Sequence, residues 1–238
     1  MAVSMNMHTL PKLAALSLVL SSPAALADDA APGAGLSVGL RAGYGVPFGK
    51  VVDAENGAEL SDTLSGVIPL QVDAGFFLSS HLYLGGSFQY GVGILAEDCE
   101  VEGEDVSCGA RQLRFGLNLA YHFRPDATLS PWLGVGVGYE HLSRYDSRSS
   151  LGASREVNTT ARGFEFANAQ GGLDFRLGNT VSVGPFVTFA VGQYSTTGLR
   201  IEVEGDGILG GDVDTTNDIE DKAFHAWLYG GLRLQARF

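Results

Sequence analysis

From Leu36 onward, apolar side chains alternate with small or polar ones. A period of two is the signature of a β-strand, because successive side chains of a strand point to opposite faces. The alternation holds in eight segments, which we predict to be strands: 36–46, 68–78, 82–92, 113–123, 132–140, 164–177, 181–192 and 226–238. It slips once, near Phe166, where we predict a β-bulge.

The two faces of these strands differ in bulk as well as in polarity. One face carries Leu, Val, Phe and Tyr, and the other carries glycine, serine and an occasional charged residue. A closed sheet of eight strands leaves an interior just wide enough for side chains, so the bulky apolar face must point outward, where only lipid tolerates it. Closure also pairs every backbone N–H and C=O group within the membrane. The sequence therefore predicts an all-β fold, an eight-stranded antiparallel transmembrane β-barrel.

The segments between the predicted strands alternate in length. Short connections lie at 79–81, 124–130 and 178–180, whereas long polar ones lie at 49–65, 95–110, 143–163 and 195–222. This rhythm predicts N- and C-termini in the periplasm, beside the short turns, and four long extracellular loops. Aromatic residues form two groups, as expected for girdles at the membrane surfaces: Phe76, Tyr121, Phe123, Phe175 and Phe238 at one rim, and Tyr44, Phe88, Tyr90, Tyr139 and Phe189 towards the other.

The start of the chain has the features of a secretory signal peptide. A weakly basic stretch precedes an apolar run at 13–20, and a small-x-small cleavage site ends at Ala27. The apolar run is about half as long as the roughly 20 residues that a membrane helix needs. We therefore expect a cleaved signal peptide at 1–27, a periplasmic linker at 28–35 and the barrel at 36–238. An uncleaved anchor and a later start are the alternatives.

Charge and cysteine content narrow the function classes. The formal net charge of −12 disfavours nucleic acid as a partner, because phosphate binding needs clustered Lys and Arg. The two cysteines, Cys99 and Cys108, predict a disulfide that closes a short loop, as is common in exported proteins. A metal site is the weaker alternative, since no histidine lies nearby to complete a ligand set. We expect no bound metal and no cofactor.

Three stretches of the sequence, at 131–139, 184–186 and 232–238, are similar to segments of known proteins. On the basis of these stretches, the predicted barrel resembles the small outer-membrane β-barrel families typified by OmpA, OmpX and OmpW. The resemblance implies a Gram-negative outer membrane, contact with its lipid and lipopolysaccharide, and a monomeric protein. It also implies that Leu232, Leu234 and Phe238 form the signal that the barrel-assembly machinery recognises. A shared fold says little about activity.

Charged residues on the small, polar face are the first candidate site. Seven of them project inward by the alternation: Arg41, Asp73, Arg114, Glu140, Asp174, Arg176 and Arg233. Buried charges need partners, so these residues favour a salt-bridge network that plugs the lumen. A polar path for a small solute is the alternative, because inward glycines leave room beside the charged groups.

The predicted loops are the second candidate site. Acidic residues crowd the second and fourth loops: Glu97, Asp98, Glu100, Glu102, Glu104 and Asp105, then Glu202, Glu204, Asp206, Asp212, Asp214, Asp218, Glu220 and Asp221. The third loop is basic, with Arg144, Arg148, Arg155 and Arg162. Solubility alone explains such charge, but the acidic loops could also bind a divalent cation or a basic partner, and the basic loop could touch lipopolysaccharide phosphates. The acidic residues lack the spacing of an EF-hand calcium loop.

The hypothesis that the protein is an enzyme rests on two residues. His141 and Ser143 resemble the His-x-Ser pair of outer-membrane lipid A deacylases, in which histidine activates serine. Arg144 stands where that family has asparagine, and no orienting acid is evident. We therefore predict a non-enzymatic barrel that acts through its acidic extracellular loops in envelope structure, adhesion or surface interaction. The alternatives are a narrow channel of the OmpW type and, remotely, a lipid A hydrolase.

Overall fold

The computed structural model describes residues 33–53, 59–97, 99, 105–150, 153–205 and 211–238. These residues form nine β-strands and one short helix. Among them, no helix is long and apolar enough to cross a membrane. The predicted signal peptide at 1–27 and most of the linker at 28–35 lie outside the described residues.

Eight of the strands close into a ring. The elements are β1 (Gly35–Gly49), α1 (Leu60–Thr63), β2 (Leu64–Phe77), β3 (Leu82–Leu95), β4 (Asp105–His122), β5 (Leu129–Ser150), β6 (Ala153–Leu177), β7 (Val181–Gly205), β8 (Gly211–Asp218) and β9 (Phe224–Arg237). Strands β1 to β7 pair in sequence, β7 pairs with β9, and β9 pairs with β1, all antiparallel. The predicted eight-stranded antiparallel barrel is therefore confirmed.

The two ends of the barrel differ. At one, the terminal end, Ser37 pairs with Arg237, and short turns join the strands. At the other, the extended end, β4 to β7 continue beyond the ring as a sheet. Pairing between β7 and β9 stops at Gln193, and from Thr196 upward β7 pairs with β8 instead. The predicted alternation of short and long connections is thus present.

Two of the predicted long loops are mostly strand, so that part of the prediction is wrong. Strands β5 and β6 fill most of 143–163, and β7 and β8 fill most of 195–222. The 195–222 segment is rich in Thr, Val and Ile, which favour extended backbone, and the strands of both segments find partners beyond the ring. β8 is a ninth strand that does not belong to the ring.

The exterior of the ring is apolar, and its interior is polar. Leu117 and Leu133 are 65% and 60% exposed, and nearly all of the predicted girdle aromatics are exposed as well. Inside lie buried Arg, Asp, Glu, Gln and aromatic side chains. Glycine makes room for the larger rings, since a Cβ at Gly45 would lie 2.5 Å from the ring of Tyr229. An apolar exterior around a closed sheet is the arrangement that lipid requires.

The predicted bulge near Phe166 is confirmed. Gly136 pairs with Asn168, whereas Gly138 pairs with Glu165, so β6 has one residue more than β5 at this point. The extra residue lets Glu165 and Asn168 both point into the lumen, while Phe166 points out. The bulge therefore delivers an additional carboxylate to the interior.

The predicted disulfide is also confirmed. Cys99 and Cys108 are bonded, with their Cα atoms 6.3 Å apart. Pairing of β3 with β4 ends at Ala110, so Cys108 lies on the part of β4 that rises above β3. The bond therefore ties the chain that follows β3 to this rising edge of the extended sheet.

A charged substitution distinguishes lipid-facing from water-facing positions. Leu117→Arg should lower the free energy of unfolding by about 2–4 kcal/mol, because it places a charge near the middle of the apolar band. Val213→Arg, on the water-exposed β8, should change it by no more than about 0.5 kcal/mol. Urea unfolding from lipid vesicles, followed by fluorescence of the two buried tryptophans, measures both. Equal effects of the two substitutions would contradict the membrane assignment.

Candidate functional site

The structure buries six of the seven predicted lumen charges. Each of these six is less than a tenth exposed: Arg41, Asp73, Arg114, Glu140, Asp174 and Arg233. Arg176 is the exception, because it is exposed at the terminal end, one residue before β6 stops at Leu177. Alternation predicted its face correctly, but at a strand end the lumen opens to solvent.

The first group of lumen charges surrounds Arg41. Its Nε donates to Asp73 Oδ2 at 2.6 Å, and its Nη1 donates to Gln170 Oε1 at 2.7 Å. The other carboxylate oxygen of Asp73, Oδ1, accepts a hydrogen bond of 2.8 Å from Gln71. The guanidinium carbon also lies 5.4 Å from the ring centre of Trp132. The Arg41–Gln170 bond crosses the lumen from β1 to β6, whereas Asp73 and Gln71 both belong to β2, the strand next to β1.

The second group surrounds Arg114. Its guanidinium forms a two-pronged ion pair with Glu165 and donates to Gln89 Oε1 at 3.2 Å. Asn168 donates to the other carboxylate oxygen of Glu165 at 2.7 Å. The guanidinium carbon lies 4.6 Å from the ring centre of Tyr229, close enough for a cation–π contact.

Glu140 forms the third group, and no arginine of the described residues lies within 4.0 Å of its carboxylate. Its Oε1 accepts from Gln112 at 2.9 Å, from Tyr194 at 2.8 Å and from Trp227 at 3.0 Å. Its Oε2 lies 3.2 Å from His225 Nε2, and the His225 ring stacks on Tyr194 with 4.0 Å between centres. The carboxylate is 2% exposed, so these four side chains replace its hydration shell.

The three groups are parts of one network. Hydrogen bonds run without a break through Glu140, Gln112, Gln89, Arg114, Glu165, Asn168, Gln170, Arg41 and Asp73. With Tyr194 on β7 and Trp227 on β9, all eight strands of the ring contribute a side chain. Such a fully connected polar network fixes the relative positions of the strands that supply it.

Little empty space remains along this network. Two cavities, of about 20 and 10 Å³, lie beside Arg41 and Arg114. A third, of about 60 Å³, lies at the terminal end, where Asp174 lies 4.0 Å from Arg233 and 3.8 Å from His122. The two smaller cavities have room for about one water molecule each, because one water needs at least about 10–15 Å³ of such space. The described lumen is therefore filled by side chains rather than by a water column.

An apolar layer closes the lumen at the extended end. Leu60 of α1 and Leu64 of β2 are each 1% exposed, and they pack with Val67, Ala110 and Ile219. This layer lies on the extended side of the Glu140 group. Helix α1 supplies it from a segment that the sequence predicted to be loop.

The loop charges occupy several different places. Arg144 points inward and pairs with Asp146 at 3.1 Å, whereas Arg162 is exposed on the outer face. Arg148 and Arg155 are exposed and face each other near the tip of the β5–β6 hairpin. Asp212, Asp214 and Asp218 are exposed along β8. Asp98, Glu100, Glu102, Glu104 and Asp206 lie outside the described residues.

His141 and Ser143 lie on the outer face of β5, opposite to the face that carries Glu140. His141 pairs with Leu113 and Arg162, and Ser143 pairs with Arg111 and Thr160. Within the described part of the chain, His141 Nε2 has no hydrogen-bond partner. Neither of the residues across from His141 carries the carboxylate that would orient a catalytic imidazole.

Comparisons with known proteins bear on the fold. No family model and no curated protein matches the sequence. A major outer-membrane protein of Thermus thermophilus matches the structure over 86% of this chain and 99% of its own, at 15% identity and a TM-score of 0.51. This chain has the fold of a small outer-membrane β-barrel.

Other structures of this barrel fold match as well. Neisserial surface protein A covers 87% of this chain and 99% of its own, at 11% identity and a TM-score of 0.44. OprG of Pseudomonas aeruginosa covers 87% and 98%, at 13% identity and a TM-score of 0.46. Identities this low leave the function of the outer-membrane-type barrel to its own residues.

Several central residues of the barrel were missed by the sequence analysis. Glu165 was hidden by the slip in alternation at the bulge, so its face could not be assigned. Tyr194 was missed because it lies beyond the predicted end of the seventh strand, and His225 because it lies just before the eighth. Trp227 and Tyr229 share a face with Arg233, and that shared face was the available signal.

Removing the Glu140 carboxylate tests the network. Glu140→Leu leaves four buried donors facing an apolar side chain, so the free energy of unfolding should fall by about 3–5 kcal/mol. Glu140→Gln keeps one acceptor oxygen and should cost less. Asp146→Leu removes a partly exposed pair and should cost about 0–1 kcal/mol. Urea unfolding in vesicles compares the three, and similar losses for Glu140→Leu and Asp146→Leu would refute the central role of Glu140.

Proposed function

We propose that this protein lies in the outer membrane with its extended end outside the cell, and that it binds a partner there without catalysis. The binding element is the free edge of β8, which pairs with an extended, basic segment of the partner. The observation that carries this proposal is the position of β8, a strand outside the ring with one bonded neighbour.

The filled lumen argues against transport as the main role. A hydrogen-bonded network crosses it, an apolar layer covers the network, and the cavities between them have volumes of about 60 Å³ or less. A solute path would need these side chains to move together, which would expose several buried charges at once. The same network makes the ring a rigid support for whatever the extended end presents.

Strand β8 offers backbone groups for pairing. It is bonded to β7 alone among the described strands, and all eight of its residues are exposed. The opposite edge of the sheet, on β4, is tied to the preceding chain by the disulfide at Cys108. An exposed strand edge is a template on which an extended peptide can add a further strand.

Charge along β8 selects the partner. Asp212, Asp214 and Asp218 lie at alternate positions and therefore share one face of the strand. Arg200 on β7 is the nearest cation opposite Asp214, but it pairs with Glu202 at 2.6 Å. A partner strand with Lys or Arg at alternate positions would place its cations beside these carboxylates.

The surroundings of His141 support a non-enzymatic role. Hydrolysis of the deacylase type needs an imidazole that is oriented by an acid and bonded to the nucleophile. Among the described residues, neither bond is present for His141. Arginines on both neighbouring strands, Arg111 and Arg162, surround the pair instead.

Planar-bilayer recording tests the filled lumen. The refolded wild-type barrel should show no discrete conductance steps, because the lumen is filled and covered. Arg41→Ala combined with Arg114→Ala enlarges the two small cavities but leaves the layer at Leu60 and Leu64, so it should stay silent as well. Discrete conductance steps from the wild-type barrel would instead favour the hypothesis that the protein is a narrow channel.

A peptide-binding experiment tests the β8 edge. A short fluorescent peptide of alternating lysine and threonine should bind the barrel in vesicles, as measured by fluorescence anisotropy. Replacing Asp212, Asp214 and Asp218 by asparagine should weaken binding roughly tenfold, which is the combined loss expected for three exposed ion pairs.

Two controls separate strand pairing from simple attraction of charge. Asp126→Asn, at the terminal end, also removes an exposed carboxylate and should leave binding unchanged. A peptide with proline in place of each threonine keeps its charge but cannot complete a β-ladder, so it should bind much more weakly. Equal binding of the two peptides would rule out pairing with β8.

A further inference from the structure

The outer face of the barrel changes from apolar to basic at one level on β4, β5 and β6. Phe115, Tyr139 and Phe164 form a cross-strand row of lipid-facing aromatic side chains. One outward position nearer the extended end, His141 pairs with Arg162. One further on, Arg111 pairs with Ser143. Cationic groups therefore lie immediately beyond the aromatic row, at the level where a bilayer has its headgroups.

Both arginines point away from the lumen. Their chain neighbours Gln112 and Ala161 are buried inside, at 0% and 8% exposure, while Arg111 and Arg162 are exposed. Within the described chain, neither arginine lies within 4.0 Å of a carboxylate. Arg111 instead lies over the ring of Tyr145, 5.4 Å from its centre. Two cations without acidic partners are thus available to an anion.

The spacing of the two arginines suits one headgroup. They are two strands apart and differ by one outward position, which places their Cα atoms roughly 12 Å apart. Arginine side chains are long enough to converge across that gap, above Ser143 and Thr160. Arginine is also the side chain best suited to phosphate, because its planar group donates two parallel hydrogen bonds.

An apolar groove begins directly below these residues. It has a volume of about 830 Å³, and its walls include Phe88, Phe115, Tyr139 and Phe164. Gly86 points outward at its floor and contributes no side chain, which creates the depression. The volume falls within the roughly 300–1,000 Å³ range of small-molecule pockets. A groove of this chemistry inside the apolar band fits a hydrocarbon chain.

We propose that this face binds a phosphorylated lipid of the outer leaflet, with Arg111 and Arg162 on the phosphate and one acyl chain in the groove. The occupant is the lipid A part of lipopolysaccharide, which combines phosphate with several acyl chains. The assignment rests on the proposed outer-membrane location and extracellular extended end. It does not depend on β8, which lies elsewhere on the extended sheet.

The first test removes the two charges. Arg111→Gln combined with Arg162→Gln should weaken binding of purified lipid A roughly tenfold or more, as expected when charge-assisted hydrogen bonds are lost. Native mass spectrometry of the refolded barrel, titrated with lipid A in detergent, measures the bound fraction. The matched control is Arg148→Gln with Arg155→Gln, an exposed arginine pair near the tip of the β5–β6 hairpin. This control should bind like the wild type.

The second test fills the groove. A Cβ at Gly86 would meet only the Gly116 carbonyl oxygen, at 3.7 Å, so a larger side chain fits there without disturbing the sheet. Gly86→Leu should therefore weaken lipid A binding while the unfolding midpoint stays unchanged. Lipid A stripped of its phosphates should bind the wild type as weakly as intact lipid A binds the double glutamine variant.

Three results would overturn the proposal. One is unchanged lipid A binding by the double glutamine variant, and another is equal binding of phosphate-free lipid A. The third is equal, arginine-dependent binding of phosphatidylglycerol, which would assign the site to ordinary anionic phospholipid. Peptide binding to β8, measured on the same variants, shows separately whether the proposed surface function holds.

Discussion

A ring of eight strands encloses a lumen packed with side chains, so the polar groups in it are stabilised mainly by partners that other lumen side chains supply. This constraint explains why glutamine and asparagine are as important as arginine in the interior. Gln89, Gln112 and Gln170 each donate and accept, so they connect groups of fixed charge that do not touch. The amides join separate ion pairs into one network, and the two cavities described beside Arg41 and Arg114 are small.

Much of the ring could be predicted from the sequence, because the period of two assigns each residue to a face. That period identified six buried charges, yet it could not say which of them meet. Arg41 and Gln170 are 129 positions apart, and only the register of closed strands brings them together. The alternation also gives no depth along a strand, which is why Arg176 was misplaced. β8 escaped detection because Val213 is its one apolar residue.

The interior and the outer surface of the barrel differ in their contacts. The interior is specific in its contacts but closed, so it determines how rigid the ring is. The outer surface is open to lipid along the ring and to water along the extended sheet. The two binding sites that we propose lie where charge interrupts an otherwise regular surface. Arg111 and Arg162 interrupt the apolar band at its boundary nearer the extended end, and the aspartates of β8 lie along an edge that is unpaired in the described structure.

The donors to Glu140 come from strands that are distant in the chain. Gln112 belongs to β4 and Tyr194 to β7, while His225 and Trp227 belong to β9, the last strand. A chain in which only β1 to β7 have formed lacks two of these four donors. The Glu140 carboxylate then remains hydrated. Pairing of β9 with its neighbours therefore supplies the donors that replace the water around Glu140. Whatever the order of assembly, the ring is complete only when this carboxylate has exchanged water for four side-chain donors.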